Sequence, residues 1–337
     1  MILTYKIRHE RDFSHELVLA KKVAEFAIKT KSRSSADVKH IGLKSMIANQ
    51  ILKKYSLSKT ARQARSVKLT VPNQGIKIKD GKILMACLKL QLPIYFPHEF
   101  EKINQIEIGS EFAYISVTSS DGKLIKPKSV FGVDRNTKSH CFVASNPTTG
   151  KVLKLGKSAN HIHQKYKHIR RRLQKQGKYS LVKRIKNRES RIIKNLNHQC
   201  SKKLVQECVK QKAGIVLEDL KDIRRTAKTR KKQRYSLNSW SFYQLKQMVE
   251  YKAKKYGIPV FYIEPQYTSQ RCSKCGHIEQ ANRKGKLFHC KKCGKVENAD
   301  VNAGFNIAFA YQNGMSRFVK DSDLTKGSTD APREALA

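Results

Sequence analysis

Two Cys-x-x-Cys pairs, Cys272-Ser-Lys-Cys275 and Cys290-Lys-Lys-Cys293, stand 14 residues apart and dictate local structure more tightly than any other feature of this chain. Each pair wraps a tight turn that converges two thiolates, and two such turns complete a tetrahedron around Zn²⁺ with Zn–S of about 2.3 Å. Gly276 and Gly294 directly follow the two pairs and suit the bend. Four thiolates close the coordination, so one structural zinc in a ribbon over residues 268–294 is expected, and not a catalytic ion. The competing reading, two redox dithiols, lacks a thioredoxin-like context. His277 and His289 flank the knuckles and read as surface residues. The other cysteines (Cys87, Cys141, Cys200, Cys208) are scattered singly, which points to a reducing compartment.

Charge limits the partners. The chain carries 70 Lys and Arg against 26 Asp and Glu, a net of +44, and such a surface repels itself unless a polyanion neutralises it. A membrane surface would require a basic amphipathic helix with a lipid-facing stripe, whereas this excess is spread along the whole chain. Nucleic acid is therefore the expected partner, held largely by counterion release. Residues 151–260 hold 32 Lys and Arg against six acids. Their densest parts, Arg170, Arg171 and Arg172, then Arg224, Arg225, Arg230, Lys231, Lys232 and Arg234, are the candidate nucleic-acid contacts. Any one such run taken alone reads as a solvated face. No apolar stretch reaches bilayer length. The opening Met1-Ile-Leu-Thr-Tyr-Lys-Ile-Arg lacks a signal-peptide core, so no membrane partner and a cytoplasmic, nucleoid-associated location are expected.

Periodicity divides the chain. Residues 2–8 alternate as a strand, His15 to Lys29 and Ala36 to Tyr55 show helical spacing with Ser34 and Ser35 as capping candidates, and strand patterns return from 67. Asp80-Gly81 between alternating flanks predicts a tight hairpin. A β-barrel-like domain over 1–13 and 67–125, interrupted by a helical insertion at 14–66, is expected. From 126 to 267, and again over 295–313, strands alternate with helices, including basic helices from Ala159 to Lys175 and Leu181 to Lys212. This is an α/β core into which the ribbon is inserted. Residues 314–337 turn polar and are expected to be a disordered tail. The fold class is thus multidomain α+β.

Three carboxylates stand out. Phe131-Gly-Val-Asp134 and Ile215-Val-Leu-Glu218 each end an apolar strand with an acid, and Asp300 opens a helix after the ribbon. Acids at the ends of neighbouring strands converge in one crevice, and a divalent cation relieves their repulsion. Two Mg²⁺ (or Mn²⁺) about 3.5–4 Å apart would bind the attacking water and the leaving oxygen of a phosphodiester. Asp219 is expected on the opposite strand face as a structural residue. Glu264 also ends a strand, with a surface role or a place near the metals both open.

Gly132-Val-Asp-Arg-Asn136, Val216-Leu-Glu-Asp-Leu220, Tyr267-Thr-Ser-Gln-Arg-Cys-Ser-Lys-Cys-Gly276 and Asp300-Val-Asn-Ala-Gly-Phe-Asn-Ile307, in this order, resemble the TnpB family, insertion-sequence-encoded RNA-guided nucleases related to type V CRISPR effectors. The resemblance covers about residues 126–313. It implies an N-terminal wedge β-barrel with a helical recognition insertion, here a short one. It also implies a RuvC-like, RNase H-fold nuclease with the zinc ribbon inserted before the last acidic motif. By position it makes Asp134, Glu218 and Asp300 the catalytic metal ligands, with Asn302 and Asn306 in supporting roles. Asn136 stands where a small residue is common. The implied partners are a guide RNA and double-stranded target DNA cut beside a short flanking motif. Small members either form a homodimer or lean on a large RNA. Three other readings compete: a guide-independent transposase or resolvase of RNase H fold, a cleavage-deficient RNA-guided repressor, and a ribosome or transcription accessory. The repressor should lack an acidic ligand, and the accessory leaves the carboxylates unexplained.

Overall fold

The computed structural model describes residues 2–96, 99–136, 140–220 and 242–318. The chain forms two compact units, Met1–Ser120 and Asp121–Ala337.

In the first unit, β1 (Ile2–Arg8) leads into α1 (Ser14–Thr30), a six-residue 3₁₀ helix Ala36–Ile41 and α2 (Ser45–Ser56). The helix expected from Ala36 to Tyr55 is therefore broken in two. Gly42, with φ of +82°, ends the first turn in a left-handed conformation that the α-helix does not use. Of the two serines expected as caps, Ser34 accepts from the Ala36 N–H (3.3 Å), while Ser35 occupies the cap position without a side-chain bond. Strands β2 (Leu69–Pro72), β3 (Lys77–Lys79), β4 (Lys82–Met85), β5 (Leu90–Pro93), β6 (Lys102–Ile108) and β7 (Phe112–Thr118) follow. They build two antiparallel sheets, ordered β1-β7-β6-β2 and β3-β4-β5. The Asp80-Gly81 hairpin forms, with Lys79 opposite Lys82 and both turn residues at positive φ. Ile106, Ile115, Ile83 and Leu92 from the two sheets share one core with Ala24 and Ile51 of the helices.

The second unit is organised by a five-stranded sheet. It contains β8 (Ser129–Arg135), β9 (Phe142–Ser145), β10 (Val152–Leu155), β11 (Ala213–Glu218) and β12 (Val260–Ile263), in the order β10-β9-β8-β11-β12. β8, β9 and β10 run as an antiparallel meander, and β11 lies parallel to both β8 and β12. Every residue of β8 and β11 is buried, because helices cover both faces. Phe131, Val133, Ile215 and Leu217 pack on one side with α4 (Tyr179–Gln211) and α5 (Phe242–Lys255). On the other side Val130 and Val216 pack against Ile307 and Ala308 of α6 (Ala299–Gln312). α3 (Ser158–Lys175) pairs with α4 through buried Glu189, whose carboxylate accepts from His163 Nδ1 (2.7 Å) and from Arg170. A three-stranded sheet, β13 (Arg283–Lys284), β14 (Leu287–His289) and β15 (Val296–Asn298), belongs to the ribbon and runs directly into α6.

Of the tail expected to be disordered over 314–337, residues 314–318 are described, and residues 319–337 lie outside the described residues. The Met315 N–H bonds the Ala310 carbonyl (2.8 Å), Glu264 N bonds Ser316 O (2.9 Å), and the Phe318 ring is buried.

α6 lies directly on β8. A Cβ placed on Gly132 would come within 2.1 Å of Gly304 O and 2.4 Å of Ala308 N, both backbone atoms that cannot swing aside. Gly132→Ala is therefore expected to lower Tm sharply, by about 1–3 kcal/mol of stability or more. Gly109→Ala, whose new methyl would meet nothing closer than 3.5 Å, should leave Tm nearly unchanged. Equal Tm values for the two variants would show that α6 does not sit on β8 in this way.

Candidate functional site

β8 and β11 are in parallel register with Leu217 opposite Val133. One step further along both strands, Glu218 lies beside Asp134 at their C-terminal ends. Successive side chains alternate, so Asp134 and Glu218 share the face that Gly132 and Val216 turn toward α6. Asp300 enters from the first turn of α6, where Asn298 caps the helix by accepting from the N–H groups of Asp300 (3.1 Å) and Val301 (3.3 Å). All three carboxylates are buried: Asp134 is 9% exposed, Glu218 7% and Asp300 1%.

Burial is the largest cause that pushes Asp134 up to about 7, followed by the neighbouring charges of Glu218 and Asp300; a hydrogen bond from Asn136 Nδ2 (2.7 Å) opposes them. Glu218 is also raised by burial, against the opposing pull of Thr268, Arg135 and Arg283. Thr268 Oγ1 donates to Glu218 Oε1 (2.7 Å), and the buried Arg135 guanidinium donates to the Glu218 backbone carbonyl. Asp300 is met by Lys286 at Oδ2 and by Arg283 at Oδ1 (3.4 Å). Among the described residues, the four ribbon cysteines are the group of three or more ligand side chains whose donor atoms all lie within 4.8 Å of one another. The carboxylates sense one another, yet each is drawn toward a polar partner of its own. Three buried acids of hard oxygen donors, repelling one another, suit a divalent cation that would neutralise them.

The cysteines form the tetrahedral set. Cys272 Sγ lies 3.7 Å from Cys293 Sγ and Cys275 Sγ 3.6 Å from Cys290 Sγ, close to the edge of a ZnS₄ tetrahedron with bonds of about 2.3 Å. Gly276 N and Gly294 N bond the carbonyls of Cys272 (2.9 Å) and Cys290 (3.0 Å), with both glycines at positive φ, as the knuckle turns require. The Lys295 N–H is the largest cause that draws the Cys293 thiol down to about 7, toward the ligating form.

Asn302 and Asn306 join the ribbon to α6. Asn302 accepts from the Ser273 N–H (3.0 Å) and donates to Arg271 O (2.8 Å). Asn306 donates to Thr268 O (2.9 Å) and accepts from Arg271 Nη1 (3.1 Å). The Arg271 guanidinium is sandwiched between the Phe309 and Phe318 rings, 4.4 and 4.7 Å from their centroids.

Other sequence expectations fared differently. Arg170 is drawn inward to Glu189, which the hydrogen bonds from His163 and Arg170 hold below the usual carboxylate range against the cost of burial. Arg171 and Arg172 stay exposed. Arg172 joins Arg184, Arg188 and Arg191 around a groove of about 710 Å³ between α3 and α4, with Leu173 and Ile185 in its lining. Arg224, Arg225, Arg230, Lys231, Lys232 and Arg234 lie outside the described residues. Glu264 is exposed and faces Arg317 (3.9 Å). His277 pairs with Glu279 (3.0 Å). Thr268, Arg135, Arg283 and Lys286 were missed by sequence reasoning. Thr268 stands within the Tyr267-Thr-Ser-Gln motif and Arg135 within Gly132-Val-Asp-Arg-Asn136, signals that could have been followed; Arg283 and Lys286 look like ordinary basic residues.

Residues 242–307 match the family described as Cas12f1-like, TNB domain. A TnpB-like protein of Methanocaldococcus jannaschii is 30% identical over 264 residues, covering 77% of this chain and 83% of that protein. The chain belongs to the TnpB-like family. The CRISPR-associated endodeoxyribonuclease Cas12f1 of Sulfoacidibacillus thermotolerans is also 30% identical, over 195 residues, and this TnpB-like chain spans 45% of its length. Among solved structures, a Cas12f1–sgRNA–target DNA complex shares the fold with a TM-score of 0.59 at 17% identity, over 88% of this chain and 82% of that one. No helix among the described residues is long and apolar enough to cross a membrane.

Two outcomes test the site. Because the folded-state value of Asp134 lies above its ordinary one, its stabilising contribution is full at low pH and is lost as pH rises through about 7. Without added divalent cation and with zinc retained, Asp134→Asn should therefore raise Tm at pH 8 by roughly 2–6 °C, with little gain at pH 5. No gain at pH 8 would mean that the buried carboxylate ionises without cost. Cys275→Ser should lower zinc content below that of wild type by atomic absorption, and full retention would remove the four-thiolate centre.

Proposed function

We propose that the chain is an RNA-guided DNA endonuclease that hydrolyses phosphodiesters at Asp134, Glu218 and Asp300. The observation that carries this reading is the parallel register that sets Glu218 beside Asp134, with Asp300 delivered to the same buried place by α6. The strand order β10-β9-β8-β11-β12, a meander extended by two parallel strands, supports an RNase H-like, RuvC-type nuclease. The helices and two sheets of the first unit support a wedge barrel carrying a recognition insertion. Relatives support the substrate: one is an endodeoxyribonuclease, and one solved neighbour is a complex with single guide RNA and target DNA.

Asp134, Glu218 and Asp300 would hold the divalent ions, Mg²⁺ or Mn²⁺, which when bound polarise the phosphodiester and activate water. The chain's own residues do the rest. Thr268 and the backbone bond from Arg135 fix the Glu218 carboxylate and its strand end, and Asn136 aims Asp134. Burial keeps Asp134 and Glu218 poorly solvated and raises the pKa of both, which favours their exchange of protons for cations as pH rises. Arg172, Arg184, Arg188 and Arg191, on the rim of the α3–α4 groove, offer guanidinium groups to a phosphate backbone. A guide-directed repressor without cleavage is disfavoured because all three acids are present and buried together.

Asp300→Ala and Glu218→Gln are each expected to reduce cleavage of guide-matched DNA by more than about 100-fold while guide and target binding persist. Wild-type cutting by Asp300→Ala would refute the site. Sequencing of RNA co-purified with the full chain should return one specific transcript. Random RNA would remove the guide and leave a guide-independent nuclease of the resolvase or transposase kind.

A further inference from the structure

The ribbon hairpin places two cations on Asp300, which neither zinc binding nor a three-carboxylate centre demands. Lys286, in the turn between β13 and β14, meets Oδ2, and Arg283 of β13 meets Oδ1 at 3.4 Å. Both oxygens of a side chain that is 2% exposed are thus engaged by the ribbon. The hairpin backbone is tied to the same spot, since the Ala299 N–H bonds the Lys286 carbonyl (2.9 Å), one residue before Asp300. The position of both cations is therefore set by the fold of the ribbon and not by chance encounter of long surface side chains.

The two cations differ from Arg135, which is buried with its guanidinium on the Glu218 carbonyl. The Lys286 side chain is 40% exposed and that of Arg283 28% exposed. Their stems reach the solvent, so either head group can leave Asp300 and enter water without stranding a buried charge. Asp300, in contrast, cannot follow them, because it is held in the first turn of a capped helix. The ammonium and guanidinium neutralise the Asp300 carboxylate and occupy one acceptor site on each oxygen, so a divalent ion arriving there competes with the ribbon's side chains for charge and space.

We propose that Lys286 and Arg283 are exchangeable counter-cations of the centre, competing with the divalent ion for Asp300, so that the ribbon sets the metal affinity of the nuclease site. This rests on reading Asp300 as a metal ligand. In this arrangement the zinc ribbon is coupled to the acidic centre by charge as well as by chain connectivity: its hairpin neutralises Asp300, and an arriving ion takes over that task.

The test is Mn²⁺ binding to the full chain, freed of nucleic acid in high salt and then returned to low salt, with free Mn²⁺ read by electron paramagnetic resonance and zinc content measured alongside. Lys286→Ala should bind Mn²⁺ roughly five- to tenfold more tightly than wild type, the gain expected from removing one close competing charge. Arg283→Ala, removing the longer contact, should give a smaller gain. Lys284→Ala deletes an equal charge from the same hairpin at an exposed position and should change affinity less than about twofold. Unchanged or weaker binding by Lys286→Ala with zinc retained would overturn the proposal. An equal gain in Lys284→Ala would overturn it too, since bulk charge would then suffice. Should Lys286→Ala lose zinc, Lys286→Met, which keeps the stem and removes the charge, carries the same comparison. Asp300→Asn separates the two levels: Mn²⁺ binding equal to wild type in that variant would refute Asp300 as a ligand, independently of the competition.

Discussion

The contact on which the second unit depends is the seating of α6 against β8, backbone to backbone, at Gly132 and Gly304. A Cβ on Gly132 would drive into Gly304 O and Ala308 N of α6, and one on Gly304 would meet Ser145 Oγ of β9 (2.7 Å) and Gly132 O (3.1 Å). Close approach brings Ile307 and Ala308 onto Val130 and Val216 and completes that face of the sheet. It also carries Asp300 to the ends of β8 and β11, where Asp134 and Glu218 already lie side by side. Packing and chemistry thus share one cause. The closeness that fills the core also crowds three negative charges into a place with little water, and Asp134 rises to about 7 in consequence. Such crowding is a cost to the fold that a functional site retains.

The ribbon is tied into the same arrangement from two sides. At its base, Arg271 lies between Phe309 and Phe318 and bonds Asn306, which in turn holds the carbonyl of Thr268, whose hydroxyl orients Glu218. At its tip, Arg283 and Lys286 cover Asp300. The four-cysteine group at 272–293, which could hold zinc, therefore bears on two of the three acids through short chains of polar contacts. Loss of the ribbon would reach beyond the ribbon itself, because Thr268 and Asp300 flank it in sequence and take their partners from it.

Much of this was legible beforehand, and the reason is locality. A Cys-x-x-Cys knuckle is complete within four residues, so its meaning does not depend on distant chain. An apolar run ending in an acid, as at Phe131 to Asp134 and Ile215 to Glu218, carries both the strand and its functional end in one short string. Asn302 and Asn306 were singled out by family resemblance, and their side chains do bridge helix and ribbon. The residues that escaped are those whose role is defined by a partner far along the chain. Thr268 meets an acid 50 residues away and Arg135 a carbonyl 83 residues away. Arg170 belonged by composition to a basic patch, yet Glu189 on the next helix claims it. Phe318 lies in the stretch read as a polar tail from 314, and its ring packs against the Arg271 guanidinium.

By itself the sequence determined the two Cys-x-x-Cys turns, the alternation of strands and helices, the acids that end two of the strands and the strong net positive charge. Spacing, periodicity and net charge are properties of the chain that no packing can alter. Only the tertiary structure decided how deeply the acids are buried, which neighbours hold them and which basic residues are spent internally, because those depend on register and on backbone separations of a few ångströms. Lys286 shows the difference most plainly. In the sequence it is one of 70 basic residues, and in the fold its ammonium meets the Asp300 carboxylate.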